Sequence, residues 1–144
     1  MPIWHIVFGA IASFILFLVG IDLLPVIVFF LSSWFLIDLD HAFYYVVKTK
    51  NFNPFKFWKI SSSKRSLRKD PNVKKPIWIF HNVEFLLLLL IFSFFFKIVF
   101  FVFLGFLFHL FFDWIEMIYN KSKVYCKLSL ISTLVKNKNK KDLL

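Results

Sequence analysis

The chain is poor in the residues that build several common functional sites. It has a single cysteine, Cys126, so it can form neither a disulfide within itself nor a paired-cysteine metal site. Only three glycines occur among 144 residues, and the sequence has neither a glycine-rich phosphate loop nor a G-x-S-x-G turn. Acidic residues are also scarce, with eight Asp and Glu against 18 Lys and Arg. These absences exclude the commonest nucleotide-binding and serine-hydrolase motifs.

Apolar side chains, in contrast, are abundant. Hydrophobic residues make up 60% of the chain and 23 of them are Phe, more than a soluble domain of this size can bury. Four apolar runs cover residues 3–19, 23–37, 77–96 and 98–118. A helix needs about 20 apolar residues to cross a bilayer, with about 17 as the short limit. We therefore predict an all-α, multi-pass membrane protein, an antiparallel bundle of four transmembrane helices.

Positive charge is concentrated in two segments outside these runs. Residues 48–76 carry ten Lys and Arg, and residues 119–144 carry seven Lys. In an antiparallel bundle both segments emerge on one face, and only Lys97 lies on the other. Because cytoplasmic loops are enriched in Lys and Arg, we predict a cell-membrane protein with this face in the cytoplasm. The expected organisation is a transmembrane domain over 1–118, including the basic loop, followed by a basic cytoplasmic tail over 119–144.

The composition of the basic loop favours contact with a lipid surface. Its first lysines are interleaved with Phe52, Phe55, Phe57 and Trp58, as in segments that place rings at the bilayer interface and charges near phosphates. The same composition suits single-stranded nucleic acid, but no nucleic-acid-binding signature accompanies it. Anionic lipid headgroups are therefore the expected partners of the loop and the tail. The sequence does not define an oligomeric state.

Histidine and carboxylate side chains recur at one end of each apolar run. In an antiparallel bundle these four ends lie on the same face, at the cytoplasmic side. Ionisable groups at membrane depth normally face the bundle interior, where they are paired or bound to a cation. Imidazole and carboxylate together form ligand sets for zinc and iron. The sequence therefore predicts a divalent-metal site, and its candidate ligands are His5, Asp38, Asp40, His41, His81, Glu84, His109 and Asp113.

Helical spacing supports this convergence, although each pair also has a simpler explanation. Residues three or four apart share one side of a helix, which applies to Asp38 with His41, His81 with Glu84, and His109 with Asp113. A single His–Asp pair on a helix is more often a structural hydrogen bond than a metal site, and His5 alone suits an interface position equally well. The joint occurrence at four matching ends favours a metal. One or two ions are compatible with this set, with zinc preferred over iron or manganese.

Several short motifs resemble those of a family of small membrane-bound, metal-dependent hydrolases, described as LexA-binding inner-membrane-associated hydrolases. Asp38-Leu39-Asp40-His41 resembles the D-x-D-H signature of the family. The stretch from Gly105 through His109 to Asp113 resembles its closing motif, His81-Asn82 its central histidine motif, and His5 with Gly9 its opening H-x-x-x-G. The motifs occur in matching order over nearly the whole chain to about residue 118.

The chain departs from the family pattern at two places. Ile37 stands where the family usually has proline before the first aspartate. Lys75, Pro76 and Ile77 occupy the positions of a His-Arg pair that usually precedes the central histidine. The resemblance therefore implies that one ligand is absent, or that Glu84 replaces it.

The resemblance implies a metal-dependent hydrolase. A looser similarity to helical zinc phospholipases C and single-strand nucleases, which also use an H-x-x-x-D pair, implies phosphoester cleavage. We accordingly expect hydrolysis of a phosphorylated lipid or another small amphiphilic substrate at the cytoplasmic face, because a bound metal makes water acidic enough to act as a nucleophile. The candidate catalytic residues are Glu84, as general base or further ligand, and Asp40.

Two other interpretations remain. Asp38-x-x-His41 and His81-x-x-Glu84 are similar to the carboxylate–histidine pairs of four-helix di-iron proteins, which suggests a di-iron carboxylate oxidase, although the Glu-x-x-His motifs of that class are absent. Alternatively, the polar residues serve only as contacts between helices, and the chain is a small non-catalytic membrane adaptor.

Overall fold

The computed structural model describes residues 2–50, 77–119 and 129–138, and these ranges contain helices and turns but no strand. This confirms the all-α class. Most of the predicted basic loop, and residues 120–128 and 139–144 of the predicted tail, lie outside the described residues. The helices are α1 (Pro2–Leu18), α2 (Leu23–Leu31), a π-helical turn (Ser32–Leu36), α3 (Leu39–Thr49), α4 (Val83–Ser93), α5 (Lys97–Tyr119) and α6 (Leu130–Asn137).

Two helical stretches are long and apolar enough to cross a membrane, Leu23–Tyr44 and Lys97–Glu116. The first runs from α2 through the π-helical turn into α3, well past the end of the predicted second run. Helices α1 and α4 are apolar but shorter, with 17 and 11 residues. The described chain therefore contains two candidate spans, and the four-span bundle stays a prediction.

The third apolar run departs most from its predicted helix. Residues 77–82 form turns, and α4 begins only at Val83. The side-chain amide of Asn82 donates hydrogen bonds to the backbone carbonyls of Trp78 and Ile79. Such side-chain bonds compete with the helical bonds of the backbone. The turn that results leaves His81 outside the helix.

Two short non-helical segments connect consecutive helices at the end of the molecule away from His81. We call these segments breaks. Gly20, at φ 87°, lies in the turn between α1 and α2, a backbone conformation that favours glycine. Residues 94–96 separate α4 from α5. The Nζ atom of Lys97 lies 3.1 Å from Oδ2 of Asp22, so the two breaks lie side by side.

The described helices expose much more apolar surface than the helices of a soluble domain. Many large apolar side chains are exposed among the described residues. Several polar or charged residues are buried instead: His5, Ser13, Ser32, Ser33, Asp40, Asn82, His109, Thr133 and Asn137. In water this arrangement would be unfavourable, because the protein would expose hydrocarbon to the solvent and keep polar groups away from it. Hydrocarbon surroundings would favour it.

Small residues let the helices approach closely around the π-helical turn. Helix α5 packs against α1, α2, α4 and the π-helical turn. A Cβ atom on Gly105 of α5 would lie 2.6 Å from the Cβ of Ser32 and 2.8 Å from the carbonyl oxygen of Phe29. A Cβ atom on Gly9 of α1 would meet the Ser33 side chain instead. Close contact through small residues is typical of helices packed within a membrane.

We predict that Gly105→Ala destabilises the protein more than Gly9→Ala. The new methyl group at Gly105 would strike backbone, which cannot yield without moving α2, whereas the Ser33 hydroxyl near Gly9 can rotate away. Overpacking of this kind costs about 1–3 kcal/mol. Thermal unfolding in detergent, followed by tryptophan fluorescence, should show the larger fall in Tm for Gly105→Ala. Equal Tm values for both variants and the wild type would contradict the close packing.

Candidate metal centre

Seven of the eight predicted ligands come together at one end of the helices. They arrive from separate elements: His5 from α1, Asp38 from the turn before α3, Asp40 and His41 from the first turn of α3, His81 from the turn before α4, and His109 and Asp113 from α5. Glu84 is the exception, because its carboxylate bonds to the start of α6. The turn that contains His81 brings its ring between α3 and α5.

Four of these side chains form a central cluster, namely Asp38, His81, His109 and Asp113. Oδ1 of Asp38 lies 3.6 Å from Nε2 of His81 and 3.9 Å from Nε2 of His109. Oδ2 of Asp113 lies 3.9 Å and 3.5 Å from the same two nitrogens. Each carboxylate oxygen therefore faces both imidazole nitrogens.

These separations are close to those in the coordination shell of a small divalent cation. Ligand atoms at about 2.0–2.2 Å from a tetrahedral zinc ion lie roughly 3.3–3.6 Å from one another. The separations between carboxylate and imidazole atoms in the central cluster are 3.5–3.9 Å. These carboxylate–imidazole separations suit a shared ion, and the chemistry of the four side chains suits zinc, iron or manganese.

The orientation of His109 is fixed by the π-helical turn. Its Nδ1 lies 2.9 Å from the backbone carbonyl oxygen of Ser33. Because a carbonyl can only accept, Nδ1 carries the proton and donates it, so Nε2 is the nitrogen that faces the two aspartates. Metal-binding histidines are commonly oriented by such a bond from their second nitrogen. No sequence pattern signals this contact, since every residue has a carbonyl.

Asp40 lies behind the imidazoles of two neighbouring histidines. Its Oδ1 is 2.6 Å from Nδ1 of His41, and its Oδ2 is 3.2 Å from Nδ1 of His81. The backbone N–H of Phe80 donates to Oδ2 at 3.1 Å. With Nδ1 of His81 bonded to Asp40, Nε2 is the nitrogen that faces the central cluster. These contacts suit a residue that orients ligands, and the predicted ligand and catalytic roles of Asp40 stay predictions.

His5 and His41 flank the central cluster on either side. Nε2 of His5 lies 3.4 Å from Oδ1 of Asp113, and its ring stacks on that of His109 at 4.1 Å. Nδ1 of His41 lies 3.7 Å from Oδ1 of Asp38, and its ring stacks on Trp78 at 3.9 Å. Two ligand triads result, each with its ligand atoms within 4.8 Å of one another: His5, His109 and Asp113, and Asp38, His41 and His81.

The electrostatic environment of the central cluster favours positive charge. Burial disfavours the charged form of His81, but hydrogen bonds from this ring to Asp38 and Asp40 outweigh burial and raise the pKa of His81 to about 9. Asp113 adds to the same attraction. Carboxylates that stabilise an imidazolium at this point would equally stabilise a metal ion.

Glu84 is turned toward α6. Its Oε1 accepts from the hydroxyl of Ser129 at 2.6 Å, and its Oε2 accepts from the backbone N–H of Leu130 at 3.0 Å. The N–H of Ile131 lies 3.3 Å from Oε1. The Ser129 hydroxyl and these backbone donors lower the pKa of Glu84 to about 2. The contacts described for Glu84 thus place it at the start of α6, and its predicted role as ligand or general base gains no support from them.

Comparison with protein-family models, with curated proteins and with solved structures finds no match to this chain. The resemblance to membrane-bound hydrolases therefore rests on the short motifs around His5, Asp38, His81 and His109 and stays a prediction. The geometry of the side chains is independent of that resemblance, and any functional assignment depends on it.

We predict that Asp40→Asn weakens metal binding without abolishing it. The amide has nearly the same shape but only one accepting oxygen, so it cannot accept from both His41 and His81. Loss of such an orienting partner typically weakens metal affinity about 10–100-fold. Competition with a chelating dye, using detergent-purified protein, would measure the change. Asp22→Asn, at the exposed ion pair with Lys97, is the control and should leave affinity unchanged. Wild-type affinity in Asp40→Asn would exclude an orienting role, and complete loss would make Asp40 a ligand.

We also predict that the contact between Glu84 and α6 persists well into the acid range. A carboxyl whose pKa falls on folding stabilises the folded contact above its ordinary pKa of 4.5 and loses that contribution as pH falls through about 2. The amide proton of Leu130, followed by NMR in detergent micelles, should therefore titrate near pH 2. In Glu84→Gln this titration should be absent. A midpoint near 4.5 in the wild type would show that Glu84 does not hold α6.

Proposed function

We propose that this chain is a membrane-embedded, metal-dependent hydrolase that cleaves a phosphoester of a lipid or similar amphiphile. The observation that carries the proposal is the central cluster, in which each of two carboxylate oxygens lies 3.5–3.9 Å from both of two imidazole nitrogens. Polar contacts that served only to join helices would not need two carboxylates that share the same two imidazoles.

The accessibility of the cluster favours catalysis over a purely structural metal. The side chain of His109 is only 2% exposed, whereas those of Asp38 and Asp113 are 39% and 28% exposed. The cluster is therefore closed by helices on one side and open on the other. Structural zinc sites are closed, and catalytic ones keep a position for water or substrate. Bound there, a divalent metal would supply an activated water and polarise a phosphoryl oxygen.

The residues of the chain have distinct roles in this proposal. His81, His109, Asp38 and Asp113 hold the ion, and Asp40 with the Ser33 carbonyl keeps the imidazole nitrogens directed toward it. His41 borders the cluster and is partly exposed. It could therefore contact a substrate or a second ion bound by its own triad. His5 supports Asp113 from the buried side.

An amphiphilic substrate is favoured by the surface around the cluster. Ile3 and Trp4, at the start of α1 beside His5, are exposed, as is Trp114, which follows Asp113 on α5. A phosphorylated headgroup at the ion would thus have apolar walls beside it for its hydrocarbon part. In the proposed topology the basic loop and tail lie at the same cytoplasmic face, where their positive charge would attract anionic headgroups.

The test of the proposal begins with metal content. Wild-type protein purified in detergent should carry one divalent ion per chain by elemental analysis, and His81→Ala and His109→Ala should each lose it. Glu84→Gln is the matched control and should retain the ion, because Glu84 bonds to α6. Two ions per chain would assign one to each triad. Iron with a visible oxo-bridge absorption would favour the di-iron oxidase, and absence of stoichiometric metal would contradict both enzymes and favour the adaptor.

Activity is tested with chromogenic phosphomonoester and phosphodiester substrates in mixed micelles. The wild type should release product, a chelator should stop the reaction, and added Zn²⁺ or Mn²⁺ should restore it. His109→Ala should be inactive under the same conditions. Metal-loaded protein that hydrolyses neither ester above the rate of His109→Ala would leave a metal site but contradict a phosphoesterase.

A further inference from the structure

Helix α6 has its polar side buried and its apolar side exposed. Thr133 and Asn137, one helical turn apart, are 3% and 9% exposed. On the other side, Ile131, Leu134 and Val135 are 65%, 49% and 69% exposed. The spacing of i, i+3 and i+4 gathers these three residues into one apolar stripe. An amphipathic helix on a water-facing surface would show the opposite orientation.

Specific hydrogen bonds hold α6 in this orientation. Ser129 is its N-cap, and the Ser129 hydroxyl accepts from the N–H of Ser132 at 3.2 Å. The same hydroxyl donates to Glu84, which also accepts from the N–H of Leu130. Glu84 thus ties the start of α6 to the start of α4, three residues after His81. The exposed stripe therefore belongs to a helix whose first turn is held by hydrogen bonds.

The surroundings of the stripe indicate what covers it. Leu87, Leu88 and Ile91 on α4 are likewise exposed, so the helix to which α6 is tied also presents apolar side chains outward. The sequence around α6 is strongly basic, since residues 120–144 contain seven Lys against a single Asp. Apolar residues on one side of a helix combined with flanking lysines are typical of helices that lie in the headgroup region of an anionic membrane.

We infer that α6 is a membrane-surface helix, whose exposed stripe of Ile131, Leu134 and Val135 enters an anionic lipid leaflet while Glu84 fixes the helix beside the candidate metal centre. This inference does not require a bound metal. It does place the leaflet next to the turn that contains His81, and so defines from which side a lipid headgroup would approach.

A fluorescent probe at single positions of the full chain tests the inference. In a Cys126→Ser background, Ile131→Cys and the matched control Ser132→Cys are labelled with nitrobenzoxadiazole and reconstituted into nanodiscs of phosphatidylcholine with phosphatidylglycerol. The label at 131 should emit at shorter wavelength and be quenched several-fold more by lipids that carry a nitroxide on the upper acyl chain. Val135→Cys should behave like Ile131→Cys. Phosphatidylcholine alone should reduce the quenching at both.

Other outcomes overturn the inference. Water-like emission at 131 and 135, or equal quenching at 131 and 132, would show that the stripe does not enter lipid. Protection that depends on protein concentration but not on nitroxide lipid would assign the stripe to a second copy of the chain. Adding Glu84→Gln should reduce the difference between positions 131 and 132. An unchanged difference in that variant would contradict the role of Glu84 as an anchor for α6.

Discussion

The described structure depends on satisfying polar side chains inside a group of helices whose outward surface is largely hydrocarbon. His109, Asp40 and Ser33 are buried, and polar groups removed from water are costly unless they find partners. The Ser33 carbonyl accepts from His109, and Asp40 accepts from His41, His81 and the backbone of Phe80. These bonds hold the imidazoles in fixed orientations. The central cluster then gathers two negative charges between them, a combination that a cation would complete.

Close helix packing and the candidate metal centre are two consequences of the same arrangement. The π-helical turn carries the Ser32–Ser33 pair into contact with Gly105 on α5, and Ser33 also approaches Gly9 on α1. Single π-helical turns are uncommon and often accompany functional sites. Here the turn joins α1, α2 and α5 where His109 needs a carbonyl partner. The residues that allow the helices to meet therefore also determine where Nε2 of His109 points.

The helical class and most members of the cluster were predictable from sequence, because apolar runs and the residues at their ends are local properties. Glu84 and His81 do not share one side of a helix in the structure, for a physical reason. The i, i+3 rule holds only within a helix, and His81 lies in a turn before α4 begins, so Glu84 faces α6. The spacing of apolar residues in the sequence predicts neither the π-helical turn nor the contact of the Ser33 carbonyl with His109. Asp40 is adjacent to His41, and sequence spacing alone could not show whether Asp40 would bind a metal or only orient the histidines.

The most direct test of the central cluster is X-ray absorption spectroscopy of the full chain loaded with Zn²⁺ in detergent. We expect a first shell of nitrogen and oxygen at about 2.0–2.1 Å, with outer-shell scattering from two imidazole rings. A shell of oxygen alone without imidazole scattering, as for a hydrated or carboxylate-bound ion, would contradict the central cluster. Scattering from sulfur would equally contradict it, because it would place the ion at Cys126.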